Sequence, residues 1–268
     1  TNSIVPAVNF STTNTVGATT YAWTNNKTSI GLAASGTGNI ASFTAVNNGT
    51  VPDTETIIVT PTITNLGLSC EGIKDTFLIV VNPSAVVNAV SNQVLCNGAA
   101  VTAVNFGTTN TGGTVTYAWT NNTTSIGLAA SGNGNIATFN GVNTGTAPVT
   151  ATITVTPTFT NGAVSCTGTS QTFTITVNPT ANINALNDHV LCNGASFTEV
   201  APTTTATGGT VTYAWTNNTT SIGLAASGTG NVPAFTTVNN GTAPVTATVI
   251  VTPTFANGGV SCVGTPDT

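Results

Sequence analysis

TGGTVTYAWTNNTTSIGLAASG stands at Thr111–Gly132 and again, unchanged, at Thr207–Gly228. Its central tripeptide Tyr-Ala-Trp also occurs at Tyr21–Trp23, so the three copies are spaced 96 residues apart. Inward and outward positions are repeated alike, which suits a module used for bulk and length. A period of this size belongs to whole domains in series, since solenoid units run from about 20 to 50 residues. Within the stretch Val115, Tyr117 and Trp119 fall on one face and threonine and alanine on the other. That period of two marks a strand with one buried side.

Working outward, the second copy reads as a series of strands. Ala85–Leu95 and Ala99–Phe106 read as an opening strand and its continuation, broken by the turn signal Asn97-Gly98. Ile126–Ala130 and Asn135–Asn140 read as short strands between Gly- and Asn-rich turns. Ala151–Phe159 alternates Ala151, Ile153, Val155 and Phe159 with threonines, and Gln171–Asn178 alternates Phe173, Ile175 and Val177 with threonines. The outward threonines favour strands and keep the outer face polar without charge. Pro61, Pro157 and Pro253 are read as guards of an exposed strand edge, because proline withdraws a ladder donor. The pattern predicts an all-β fold: tandem immunoglobulin-like β-sandwiches of about seven strands each, in a linear array.

The repeats divide the chain at 1–83, 84–179 and 180–268. The first copy is expected to lack its first strand, the second to be complete and the third to lack its last, so the chain reads as a window on a longer array. Val81-Asn82-Pro83 and Val177-Asn178-Pro179 join the copies with no Gly/Ser run, which predicts semi-rigid joints. Strands of this length would add roughly 40 Å per module, giving a rod.

Composition narrows the functions. Charged residues make up 3 % of the chain, with a net charge of −5, against 40 % hydrophobic residues. This balance excludes a nucleic-acid partner, which needs a basic footprint, and a polybasic membrane contact. No apolar run approaches the 18 or so residues of a membrane span.

Five cysteines point to disulfides. Cys96 and Cys166 are 70 residues apart, as are Cys192 and Cys262, while Cys70–Cys96 and Cys166–Cys192 are 26 apart. If the first strand runs parallel to the last, Cys96 and Cys166 precede the two strands at one pole. The 26-residue pairing would then have to span the last strand, roughly 30 Å. Bridges Cys96–Cys166 and Cys192–Cys262 are therefore expected, with Cys70 pairing to a cysteine before Thr1. Such bridges imply an oxidising, extracytoplasmic site.

The strings Val-Leu-Cys-Asn-Gly-Ala (Val94–Ala99), Tyr-Ala-Trp-Thr-Asn-Asn-x-Thr-Ser-Ile-Gly-Leu-Ala-Ala-Ser-Gly (Tyr117–Gly132) and Thr-Phe-Thr-Ile-Thr-Val-Asn-Pro (Thr172–Pro179) carry a resemblance. They resemble polycystic-kidney-disease (PKD)-like and immunoglobulin-like modules and, more closely, the repeats of giant Bacteroidota surface proteins such as the SprB-type gliding-motility adhesins. The resemblance covers essentially the whole chain. It implies a secreted adhesin or filament at the bacterial cell surface, exported by the type IX system.

Candidates for chemistry are few. His189 replaces Gln93 of the preceding copy, which points to a surface loop. Asp53, Glu55, Glu71, Asp75, Asp188, Glu199 and Asp267 recur at no common position, and 85–179 contains no carboxylate. Paired acid–base groups and calcium cages both need more than this, so neither enzyme activity nor a metal or other cofactor is expected. Lys27 and Lys74 both lie in the first copy, so lysine cross-links are not available to the others. Trp23, Trp119 and Trp215 are read as core residues, with a sugar-stacking platform as the alternative. On the outer face Ile58, Leu78 and Val80 replace Thr154, Thr174 and Thr176, predicting one exposed apolar patch that marks a protein contact. Expected partners are the neighbouring repeats, other copies of the chain in a filament, and a surface or glycan ligand held by other regions.

Overall fold

Threonine alternating with β-branched and aromatic residues produces the long strands around which each copy is built. The computed structural model describes residues 3–268. The first copy holds β1 (Ile4–Val5), β2 (Ala18–Asn25), β3 (Ser35–Thr37), β4 (Phe43–Thr44), β5 (Asp53–Asn65), β6 (Leu68–Glu71) and β7 (Asp75–Val81). In the second lie β8 (Gln93–Cys96), β9 (Ala100–Val101), β10 (Thr114–Asn121), β11 (Ser131–Asn133), β12 (Phe139–Asn140), β13 (Val149–Asn161), β14 (Val164–Thr167) and β15 (Gln171–Asn178). The third contains β16 (Ser196–Phe197), β17 (Thr210–Asn217), β18 (Ser227–Thr229), β19 (Phe235–Thr236), β20 (Val249–Asn257) and β21 (Val260–Val263). The only helical elements among the described residues are single 3-10 turns at Thr124–Ile126 and Thr220–Ile222.

Each copy packs a large sheet against a two-stranded one. In the second copy the order is β11-β10-β13-β15-β8, with β14 also on β13, and β12-β9 forms the partner sheet. The first copy has β3-β2-β5-β6 with β7 on β5, opposite β1-β4. Between its sheets Trp23, Ile30, Ile40, Ile57 and Val59 form a core that also takes in Val5 and Phe43. The third copy has β18-β17-β20-β21 and β16-β19. This is a series of immunoglobulin-like β-sandwiches.

The opening strand does run parallel to the closing one: β8 pairs β15 with Ile175 opposite Gln93 and Asn178 opposite Cys96. It is much shorter than Ala85–Leu95, however. Ala85 and Val87 are buried without belonging to any strand, so their alternation records packing and not a ladder. Ile126 and Leu128 behave alike, buried from a 3-10 turn and a loop. Sequence reading also missed the hairpin that places β14 on β13, with Phe159 opposite Cys166.

The prolines do not guard an edge. In the first copy β5 pairs β7 up to Val59 and β6 from Thr62 onward, and Pro61 sits between, where β5 changes partner. Its missing N–H costs no ladder bond there, while its carbonyl accepts the Gly72 N–H at 2.8 Å. Pro157 and Pro253 accept from Gly168 and Gly264 in the same way.

The chain forms two compact units: Thr1–Ala89 with Phe106–Trp119 and Val155–Gln171, and Val90–Asn105 with Thr120–Thr154 and Thr172–Thr268. Unit 1 holds the seam where the first copy meets the second. Unit 2 holds the seam between the second and the third.

Candidate functional site: the seam between copies

In unit 2 the seam is covalent. Cys96 and Cys262 form a disulfide with Cα atoms 5.5 Å apart and a sequence separation of 166. Cys70, Cys166 and Cys192 are free. This corrects the expected pairs Cys96–Cys166 and Cys192–Cys262.

The reason lies in where each thiol sits on its strand. Cys96 ends β8, opposite Asn178 at the end of β15, whereas Cys166 lies on β14, whose chain leads into the beginning of β15. The length of β15 therefore separates them. Its seven steps of about 3.3 Å make roughly 23 Å, far outside disulfide reach. Cys96 instead faces the β20–β21 hairpin of the following copy, where Cys262 lies opposite Phe255. Cys96, Ala181, Phe255, Cys262, Val211 and Val260 pack as one apolar cluster.

Around the bridge the backbone is fitted closely. Asn178 is fully buried; its Nδ2 donates to the Asn257 carbonyl at 3.1 Å, and Asn257 Nδ2 donates back to Asn178 Oδ1 at 2.9 Å. Pro179, next in the chain, is buried as well. The Thr207 N–H donates to the Thr146 carbonyl at 2.8 Å. Gly258, at φ +59° in the hairpin turn, is required twice over, since a Cβ there would come within 3.0 Å of Val94.

Unit 1 repeats the clasp. Asn161 Nδ2 donates to Asn82 Oδ1 at 3.0 Å, Asn82 Nδ2 to the Val164 carbonyl at 3.4 Å, and the Thr111 N–H to the Thr50 carbonyl at 3.1 Å. The asparagine pairs keep the same 79-residue separation in both seams. Their recurrence at the 96-residue period was visible in the sequence, but nothing there said that they meet.

The remaining candidates fall to structural roles. Trp23, Trp119 and Trp215 are buried, so they are core residues and offer no sugar platform. Gly36 and Gly228 lie against the indoles so closely that a Cβ would come 2.3 Å from Trp23 or Trp215. Glu55 is fully buried and accepts from the Ile30 N–H at 3.0 Å, the Ser29 hydroxyl at 3.2 Å and the Asn25 amide. Alanines 151 and 247 hold its place elsewhere, so the carboxylate ties one loop of one copy. The Ser29 hydroxyl, followed by Lys27 at 3.0 Å, holds the Asp53 carboxyl below its ordinary range. His189 stacks edge-on against Phe197, ring centroids 5.0 Å apart. Among the described residues no three His, Cys, Asp or Glu side chains converge as metal ligands.

Asparagine does unforeseen work. Asn121 Nδ2 donates to the Thr123, Leu128 and Ala129 carbonyls, and Asn217 ties the third copy's equivalent loop. Asn26, Asn122 and Asn218 accept from the N–H groups of Thr56, Thr152 and Thr248, pinning that loop to the sheet.

The apolar substitutions do lie on one exposed face. Ile58 is 38 %, Leu78 60 % and Val80 48 % exposed. On adjacent strands, Leu78 pairs with Thr56 and Val80 with Thr54, placing all three side by side.

No family model matches the chain, nor does any curated protein. Solved structures similar to it are cadherin-type ectodomains. The protocadherin gamma B7 fragment of cadherin domains 1–4 is 12 % identical with a TM-score of 0.36, over 97 % of this chain and 73 % of that one. For the protocadherin gammaB4 extracellular domain the values are 11 % and 0.34, over 91 % and 44 %. Human desmocollin-1 is 13 % identical with a TM-score of 0.31, over 91 % and 52 %. The chain thus spans less than half the length of the gammaB4 extracellular domain.

Proposed function

We propose that the chain is a structural repeat region, the stalk or filament portion of a long secreted bacterial cell-surface adhesin, and that it supplies reach and mechanical stability. The observation that carries this reading is the seam: both seams have an asparagine clasp and a buried proline in place of a Gly/Ser linker, and the second and third copies are also joined by a disulfide. The folding units on this reading are the copies at 1–83, 84–179 and 180–268, set in line. The disulfide favours a location outside the cytoplasm. The quoted sequence strings support a Bacteroidota source, type IX export and kinship with gliding-motility adhesins. Recognition of a surface or glycan falls to other regions, the repeats contacting one another and contributing no catalysis.

Electron microscopy of the intact protein tests this. Single-file threads with a bead roughly every 40 Å support a stalk. A wider fibre with helical order overturns it in favour of a second reading, a filament whose modules also pack laterally. The exposed Ile58, Leu78 and Val80 favour that alternative. Leu78→Asp with Val80→Asp would then dissolve the fibre, and unchanged self-association in the double variant would remove the patch from consideration.

A further inference from the structure

Three charges meet at one place in the first copy. Lys27, Asp53 and Glu55 stand where the second copy has Thr123, Val149 and Ala151 and the third has Thr219, Val245 and Ala247. Lys27 Nζ lies 3.0 Å from Asp53 Oδ1. Asp53 and Glu55 are two residues apart on β5, so they face the same side of the sheet. The loop carrying Lys27 is pinned there: Asn26 donates to the Thr56 carbonyl at 3.2 Å and accepts from the Thr56 N–H at 2.8 Å, and the Lys27 N–H donates to Asn25 Oδ1 at 3.3 Å. Between the two carboxylates sits the Ser29 hydroxyl, 3.2 Å from Glu55 Oε1 and hydrogen-bonded to Asp53 as well. It has one proton for two carboxylates. Glu55, fully buried, is fixed by the Ile30 N–H and the Asn25 amide. An exposed ion pair adds little stability and needs no buried carboxylate behind it.

We propose that Lys27 and Asp53 condense to an amide, a covalent cross-link that the first copy makes by itself. The 3.0 Å contact is the pair before reaction, ammonium against carboxylate. In the reactive state one proton has moved from Lys27 Nζ to Asp53. The Asp53 acid then donates to Ser29 Oγ while Ser29 donates to Glu55 Oε1, so the row has a hydrogen for each acceptor. Glu55 thereby favours the neutral acid, acting through Ser29 as a positioning residue. The neutral Nζ attacks Asp53 Cγ and the C–N bond forms. A nitrogen proton passes to the departing hydroxyl, the C–O bond breaks with its electron pair, and water leaves. No oxidant, reductant or co-reactant enters. Groups held in such contact react as if each were at about 10⁵ M or more, which offsets the cost of condensing an amide in water. The bond would close the 26-residue span between the two side chains. The other copies have neither the amine nor the two acids at these positions. The inference stands whether or not the array is a stalk.

The test is the intact mass of the 268-residue chain after prolonged incubation in neutral buffer, measured with its disulfide reduced. The cross-linked chain is lighter than its sequence by one water molecule. Proteolysis should then yield a branched fragment joining Lys27 to Asp53, and Lys27→Arg should restore the full mass. Ser29→Ala, at an exposed position, keeps both reacting groups and should slow the bond at least about tenfold by breaking the row. Glu55→Gln should do the same in a chain that circular dichroism shows to be folded. A native chain that keeps its full mass while folded overturns the proposal, as does a missing water that maps to any other pair of residues. Ser29→Ala condensing as fast as the native chain would remove Ser29 and Glu55 from the reaction and overturn the mechanism.

Discussion

β7 and β15 are the same strand in two settings. Both follow a short hairpin strand, both pair antiparallel with the long central strand of their copy, and both alternate apolar and outward residues. Among the described residues only β15 also has a strand, β8, along its other edge. With it, Phe173, Ile175 and Val177 are sealed; without it, Phe77 and Ile79 remain half-buried. The four residues of β8 thus close the sandwich and also deliver a thiol to the next copy. Completion of a domain and attachment to its neighbour are one event here.

The largest effect should come from separating those two roles. Cys96→Ser with Cys262→Ser opens a 166-residue loop, for which chain entropy predicts a loss of about 5 kcal/mol. Chemical denaturation should show the loss in the second and third copies while the first is unchanged. Equal loss in all three would mean that the bridge acts globally. Next, Phe173→Ala should cost about 4 kcal/mol and Phe77→Ala about half as much, because the Phe77 site is already partly open. Equal costs would show that β8 adds no burial. Asn178→Ala, which strands Asn257 at the seam, should cost about 2 kcal/mol, read from the same denaturation curves. The smallest effect belongs to the first copy's hairpin. Leu66 holds φ 49° where the other copies have glycine, so Leu66→Gly should stabilise by about 1 kcal/mol. A destabilised variant would mean that the exposed leucine makes a contact of its own.

The three long strands of each copy were legible because both of their signals, period two and β-branched composition, report the same thing there. In Ala85–Leu95 and Ile126–Ala130 the period was real but came from side chains packing inward off loop backbone. Periodicity reports burial; hydrogen bonding has to be seen. The parallel course of opening and closing strands, the premise of the cysteine argument, holds, yet the pairing drawn from it does not. That inference assumed Cys96 stood before its strand, whereas it stands at the far end, and one strand length reverses which partner is within reach. The asparagine clasps were hidden for a different reason. Their two halves lie 79 residues apart in different copies, and a repeat aligned upon itself displays likeness, not contact.

One consequence of the Cys96–Cys262 bridge concerns damage. A peptide bond broken anywhere in residues 97–261 leaves two pieces that are still one molecule, tied through sulfur. The span of 166 exceeds the 96-residue period. Bridges of this length at successive seams would therefore overlap, and no single cut between them would sever the line. Such a line could be nicked repeatedly by proteases and keep its continuity, parting only where an electron donor reached the sulfurs.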